Sequence, residues 1–336
     1  MPRVSVLLPV RDAAATLDAC LDSLAGQTLA DHEVVAVDDG SRDGSGERLL
    51  ARAAADPRLR VRRTPPRGLV SALNLALAEA RAPLVARMDA DDVARRERLR
   101  LQVERLERDA SVDVLGCRVA LAASSGPSAG AGMRAYVGWQ NTLLDHEAMA
   151  RDRFVESPLV HPSAAARRAV LEGLGSWRDF DGPEDYDLWL RAFDAGLRFG
   201  KLDAVLLDWH DSPRRLTRTD PRYAPGRFLA LKLEALARGP LAGSRAAVVW
   251  GAGRIGKAWS RALRAAGHEI CAFVEVDPGK VGTRIHGAPV VAVDEAGRLR
   301  GPLHLAAVGQ KGARERIRAE AARLGLAEGA DLVAVA

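Results

Sequence analysis

The stretch APLVARMDADD, residues 82–92, runs an apolar segment into three carboxylates within four positions: Asp89, Asp91 and Asp92. Carboxylates this close repel one another unless positive charge sits among them. Two readings are open from the stretch alone. One is a solvated turn ahead of a helix, because Asp favours caps and helix N-termini. The other is a site for a hard divalent cation at the carboxyl end of a strand, where open α/β sheets bind their ligands.

The flanking sequence decides the fold class. VSVLLPV (4–10) and HEVVAVDDGS (32–41) are apolar runs that break into polar turns, as buried strands do, and residues 13–24 between them carry Ala and Leu at helical spacing. LRVRRT (59–64), LVSALNLALAEA (69–80) and APLVARMDADD repeat the alternation as strand, helix, strand. The pattern predicts an α/β fold with a parallel sheet and its loops gathered at one edge. RRERLRLQVERLERD (95–109) reads as an amphipathic helix with Leu99, Val103 and Leu106 on one face, and VDVLGCRVAL (112–121) as a further strand. ASSGPSAGAG (123–132) reads as a surface loop, the sequence to about Ala150 as less regular, EDYDLWLRAFDA (184–195) as a helix, and 211–227 as a loop. From residue 245 the alternation restarts with AAVVWGAGRIGKAWSRALRAAG and HEICAFVEVDP. The expected domains are 1–224, a helix and linker over 225–243, and 244–336.

The bulk numbers exclude several classes. The 336 residues are 48% hydrophobic and 28% charged, enough for two cores. The net charge of +5 lies in 244–336, with 14 Lys+Arg against 9 Asp+Glu, while the rest balances. That excess suits small anions, and no basic stripe of a nucleic-acid binder accompanies it. Cys20, Cys117 and Cys271 are too scattered for a disulfide framework or a CxxC metal site, so they read as small buried hydrophobes in a reducing compartment. The N-terminal apolar run reads as a strand rather than a signal peptide. No segment reaches the length of a membrane span. A cytoplasmic location is expected; peripheral membrane contact and oligomeric state stay open.

Three acidic clusters stand at predicted strand or helix ends: Asp38-Asp39, the DADD turn, and Glu184-Asp185. With VSVLLPVRDAAATLDACLDSLAGQTL, HEVVAVDDGSRDGS, ARMDADD and SPLVHPSAAARRAVLEGLGSWRDFDGPEDYDLWLRAF in this order, residues 3–215 resemble family-2 glycosyltransferases of the GT-A fold. The resemblance implies transfer of a sugar, with inversion, from a nucleotide-diphosphate sugar to an acceptor hydroxyl of a glycan or lipid-linked saccharide. It implies Mg²⁺ or Mn²⁺ on Asp91, with Asp89 supporting it or holding the ribose, and Asp92 as a neighbouring partner or helix cap. It assigns the base to Asp185, or else Glu184, with Asp187 structural. Pro9, Val10 and Arg11 would bracket the nucleotide and Asp39 would read its base, while an Asx-turn remains open for Asp38 and Asp39. Arg67 would face the diphosphate or solvent. His161 reads as a hydrogen-bonded loop histidine, and His210 as a loop histidine or a metal or phosphate ligand. Arg214, Arg215 and Thr217 would close over the diphosphate.

In the C-terminal region GAGRIG (251–256) follows a strand and opens a helix, with Glu275 about twenty residues on, the setting of a dinucleotide-binding loop. AFVEVDPGKVGTRIHGAPVV resembles the small Rossmann-like domain of some nucleotide-sugar acyltransferases and dehydratases. Gly251, Gly253, Gly256 and Glu275 are then expected to bind a nucleotide or nucleotide sugar, or the domain is purely structural. The competing functions are an NAD(P)-dependent sugar oxidoreductase working through GAGRIG, and a non-catalytic nucleotide-sugar-binding protein.

Overall fold

In a computed structural model, described for residues 1–122, 130–213, 215–243 and 246–336, the chain forms two compact units. The first comprises Met1–Met149 and Pro158–Pro221, the second Ala150–Ser157 and Arg222–Ala336. The core of the 123–132 loop, residues 123–129, and Arg214 lie outside the described residues.

The first unit is built on β1 (Val4–Val10), β2 (His32–Asp39), β3 (Leu59–Thr64), β4 (Leu84–Arg87), β5 (Val93–Ala94), β6 (Val114–Leu121), β7 (Ala165–Arg167) and β8 (Phe199–Trp209). They form one sheet in the order β3-β2-β1-β4-β7-β6-β8-β5. The first four are parallel as expected, but β7 and β5 run antiparallel to their neighbours, so the sheet is mixed. Alternation explains the layers: Val4, Val6, Leu8 and Val10 pack on one face, and Leu7, Val35 and Val37 on the other. Helices α1 (Leu17–Ala25), α2 (Ser45–Ala55), α3 (Leu69–Glu79) and α4 (Arg98–Arg108) connect the early strands. Register aligns the strand ends, Val10 opposite Asp38, Asp39 opposite Thr64, and Leu7 opposite Arg87, so the polar turns emerge along one edge.

The stretch read as irregular holds two helices, α5 (Ala131–Gln140) and α6 (His146–Asp152). Two glycines weaken the helical pattern of α5, yet Met133, Tyr136 and Val137 pack on the sheet core and override it. Further on come α7 (Arg168–Gly173), α8 (Glu184–Asp194) and, inside the expected loop, the short α9 (Leu216–Thr219).

The second unit begins with α10 (Pro225–Arg238). It contains β9 (Ala246–Trp250), α11 (Arg254–Ala265), β10 (Glu269–Glu275), β11 (Arg284–Ile285), β12 (Ala288–Ala292), α12 (Val293–Ala296), β13 (Leu303–Ala306), α13 (Ala313–Arg323) and β14 (Leu332–Ala334). Its sheet has the order β11-β12-β10-β9-β13-β14, parallel apart from the β11 edge. Asp152, buried, brings the 150–157 segment into this unit through ion pairs with Arg318 and Arg314. Among the described residues no helix is long and apolar enough to cross a membrane.

Candidate active site

The carboxylates of APLVARMDADD converge at the end of β4. Met88 N–H donates to Leu7 O of β1, and Asp92 N–H closes a turn on Asp89 O. The turn is pinned from α1 and its entry, by Thr16 Oγ1 on Ala90 O (3.0 Å) and Cys20 Sγ on Asp89 O (3.3 Å). Asp89, Asp91 and Asp92 each place one oxygen within 4.8 Å of the others. Asp92 is fully buried; one oxygen accepts the His210 N–H at 2.8 Å, and Oδ2 has no partner among the described residues.

The electrostatics follow from burial and crowding. Burial, then the charge of Asp89, raises the Asp91 carboxyl to about 6 against the opposing pull of Arg215 and Arg87. Burial and both neighbouring aspartates hold Asp92 well above the ordinary carboxylate range. Asp89 lies 2.6 Å from Arg87 Nη1, and the Arg215 guanidinium stacks on Trp209 with Cζ 4.1 Å from the ring centroid. Three oxygen donors, an orphaned Asp92 Oδ2 and carboxylates pushed toward neutrality are the donor set that suits a hard divalent cation. His210 meets this cluster through its backbone; among the described residues its ring is not part of the three-carboxylate group.

On the neighbouring strand ends, Pro9 and Val10 close β1, both buried or nearly so, and the exposed Arg11 reaches Asp39 Oδ2 at 3.2 Å. Asp39 also accepts the N–H groups of Arg67 (2.6 Å) and Gly68 (2.9 Å), which fixes the loop ahead of α3 while the Arg67 side chain stays exposed. Asp38 accepts Ser41 N–H at 3.0 Å, three residues on rather than the two of an Asx-turn, and pairs with Arg63 at 3.2 Å.

The third acidic pair opens α8. Glu184 is buried with Oε1 3.9 Å from His161 Nδ1, and Asp185, half-buried, accepts Tyr186 N–H at 2.7 Å. Trp177 Nε1–H donates to His161 Nε2 at 3.1 Å, leaving the ring proton on Nδ1, toward Glu184. Burial, then the Arg87 charge, pushes His161 well below the ordinary imidazole range, so it stays neutral. Asp187 is fully buried between Arg178 and Arg191, a structural role. Arg87 thus acts on both the acid turn and His161, yet the sequence reading did not single it out. Its signal was an arginine inside the apolar run APLVARM.

Gly251, Gly253, Gly256 and Glu275 gather in the second unit, at the ends of β9 and β10, where Glu275 Oε2 accepts Ala252 N–H at 3.0 Å.

Comparison with known proteins bears on the first unit. Residues 5–175 match the family model "Glycosyl transferase family 2", which ends before Glu184. "Uncharacterized glycosyltransferase EpsJ" of Bacillus subtilis (strain 168) is 34% identical over 117 residues, 35% of this chain, and the match spans only 34% of EpsJ. "Amylovoran biosynthesis glycosyltransferase AmsE" of Erwinia amylovora is 29% identical over 206 residues, 60% of this chain and 74% of AmsE. Among solved structures, the mannosyltransferase PcManGT from Pyrobaculum calidifontis, in complex with GDP-Man and Mn²⁺, superposes with a TM-score of 0.55 at 22% identity, covering 79% of this chain and 69% of its own. That likeness shows the fold, the GT-A arrangement.

Proposed function

Because the chain belongs to glycosyl transferase family 2, we propose that it transfers a sugar from a nucleotide-diphosphate sugar to an acceptor hydroxyl, inverting the anomeric carbon, in glycan or polysaccharide biosynthesis. The observation that carries this reading is the Asp89-Asp91-Asp92 turn at the sheet edge, where burial and neighbouring charge raise the Asp91 and Asp92 carboxyls. Asp91 and Asp89 would hold Mg²⁺ or Mn²⁺ there, and the cation would supply Lewis-acid stabilisation of the charge developing on the departing nucleoside diphosphate. The GDP-Man and Mn²⁺ bound by PcManGT support the donor class and the cation, and the naming of AmsE for amylovoran biosynthesis supports the pathway class.

The chain's own groups divide the remaining work. Arg215, stacked on Trp209 and acting on Asp91, offsets negative charge at the turn. Asp39 and Arg11 shape the nucleotide end with Pro9, Val10, Asp38 and Arg67. Asp185 takes the proton of the acceptor hydroxyl as its oxygen attacks, and a single displacement of this kind inverts configuration. Glu184 is held beside neutral His161, which leaves the half-buried Asp185 as the accessible carboxylate of the pair. The three cysteines are free, which supports cytoplasmic action.

The test is release of nucleoside diphosphate from UDP- and GDP-sugars with Mn²⁺ and a panel of saccharide acceptors. Release that depends on both cation and acceptor, and that Asp185→Asn removes while donor binding persists, supports the proposal. Undiminished release by Asp185→Asn would reject Asp185 as the base.

A further inference from the structure

The second unit contains a cavity of about 970 Å³, in the size range of small-molecule sites, at the end of its sheet where the strand order reverses between β9 and β13. At such a reversal the following helices leave on opposite faces and open a crevice. A Cβ on Gly256 of α11 would lie 3.2 Å from Val249 Cγ1, whereas Val248, on the other face of β9, belongs to the cluster that holds Ile317 and Ala321 of α13.

The three glycines of GAGRIG are required for different reasons. Gly251 has φ +102° and a Cβ there would meet Val308 Cγ2 at 2.4 Å. A Cβ on Gly256 would lie 1.8 Å from Gly251 O. Gly253 lines the cavity and has nothing within 4 Å of its Cβ position, so open space adjoins its backbone and the first amides of α11.

The cavity is also polarised. Glu275 accepts Ala252 N–H and Val276 N–H (2.9 Å), and Lys280 Nζ sits 3.3 Å from both Glu275 and Asp277. Of these groups Glu275 and Lys280 line the cavity, so Glu275 is the carboxylate presented at this corner. Arg254 and Arg316 also line the cavity, and neither guanidinium makes a hydrogen bond or ion pair among the described residues. Apolar surface completes it, including Val276, which is 81% exposed beside Glu275. Among the described residues no His, Tyr, Ser, Thr or Cys lines the cavity, so hydride transfer would find no imidazole or hydroxyl relay there.

We propose that this cavity binds, without transforming it, a nucleoside 5′-diphosphate derivative whose ribose carries no further phosphate. The pyrophosphate lies over Gly253 between Arg254 and Arg316, the base lies against Val276, and the ribose hydroxyls replace the Lys280 ammonium on Glu275. The Glu275 carboxylate at the ribose repels a phosphate on it. Both a dinucleotide and a nucleotide sugar have this chemistry. The proposal is independent of the transferase reading, because it involves no cation and none of the residues of the first unit.

Calorimetric titration of the full chain in EDTA with NAD⁺, NADP⁺ and UDP-glucose tests it. The expected result is saturable binding of NAD⁺ or UDP-glucose, whichever is the source, at least tenfold tighter than NADP⁺. Gly253→Val places a branched side chain in open space at extended backbone, so the fold persists, and it weakens binding tenfold or more, as does Arg316→Ala. Asp91→Asn leaves this binding unchanged. The proposal is overturned if neither NAD⁺ nor UDP-glucose binds in EDTA, if both Gly253→Val and Arg316→Ala bind normally, if Asp91→Asn abolishes the binding, or if NADP⁺ binds as tightly.

Discussion

Asp91→Asn should stabilise the first unit while removing its function. The Asp91 carboxyl is raised from 3.8 to about 6, chiefly by burial and Asp89, so the folded state holds its proton more tightly than the unfolded chain. A raised acid pKa destabilises the fold once the group ionises: the cost is absent below the unfolded pKa and complete above the folded one. That rise from 3.8 to about 6 is worth ~3 kcal/mol above pH 7, falling to about half that at pH 5 and below 1 kcal/mol near pH 4. Asn keeps the shape and carries no charge at any pH. In EDTA, urea unfolding of the first unit should therefore show the variant more stable by up to ~3 kcal/mol at pH 7.5, with the gain vanishing as pH falls through 6 toward 4. Mn²⁺ should reverse the order by stabilising only the wild type. A variant less stable than wild type at pH 7.5 in EDTA, or a gain that does not depend on pH, would refute the electrostatic account of the turn.

Other consequences follow from the same geometry. Asp185→Asn should lower turnover by roughly 10²–10⁴-fold with donor affinity intact, read from steady-state kinetics beside donor titration. Asp187→Ala leaves Arg178 and Arg191 without their buried partner and should cost about 3–5 kcal/mol in chemical denaturation, whereas a change under 1 kcal/mol would contradict the structural role. Gly256→Ala forces a methyl against Gly251 O and should destabilise the second unit by about 1–3 kcal/mol or more, seen as a lowered transition for that unit alone.

Much of this was legible in the sequence because the relevant signals are local. Buried parallel strands declare themselves as unbroken apolar runs, and the DADD turn and GAGRIG loop carry their chemistry in adjacent residues. The antiparallel β7 escaped notice because SAAARR has no β-branched residue; pairing with β4 and β6 makes it a strand. Helix α5 was hidden by its two glycines. The excursion of 150–157 into the second unit had no local sign, because Asp152 meets Arg318 from 166 residues away. In the site, the acid turn was readable, but its regulators were not. The Arg87 charge acts on His161 of a distant segment, Trp177 bonds His161 from another loop, and the His210 contribution is a backbone N–H that no side-chain pattern announces.

The most direct test of the central claim is calorimetric titration of UDP and GDP into the wild type and Asp91→Asn, each with and without Mn²⁺. The account predicts that one of the two nucleotides shows a binding event that requires Mn²⁺ and disappears in Asp91→Asn. Superposable titrations with and without Mn²⁺, or a Mn²⁺-dependent event that survives the substitution, would contradict it.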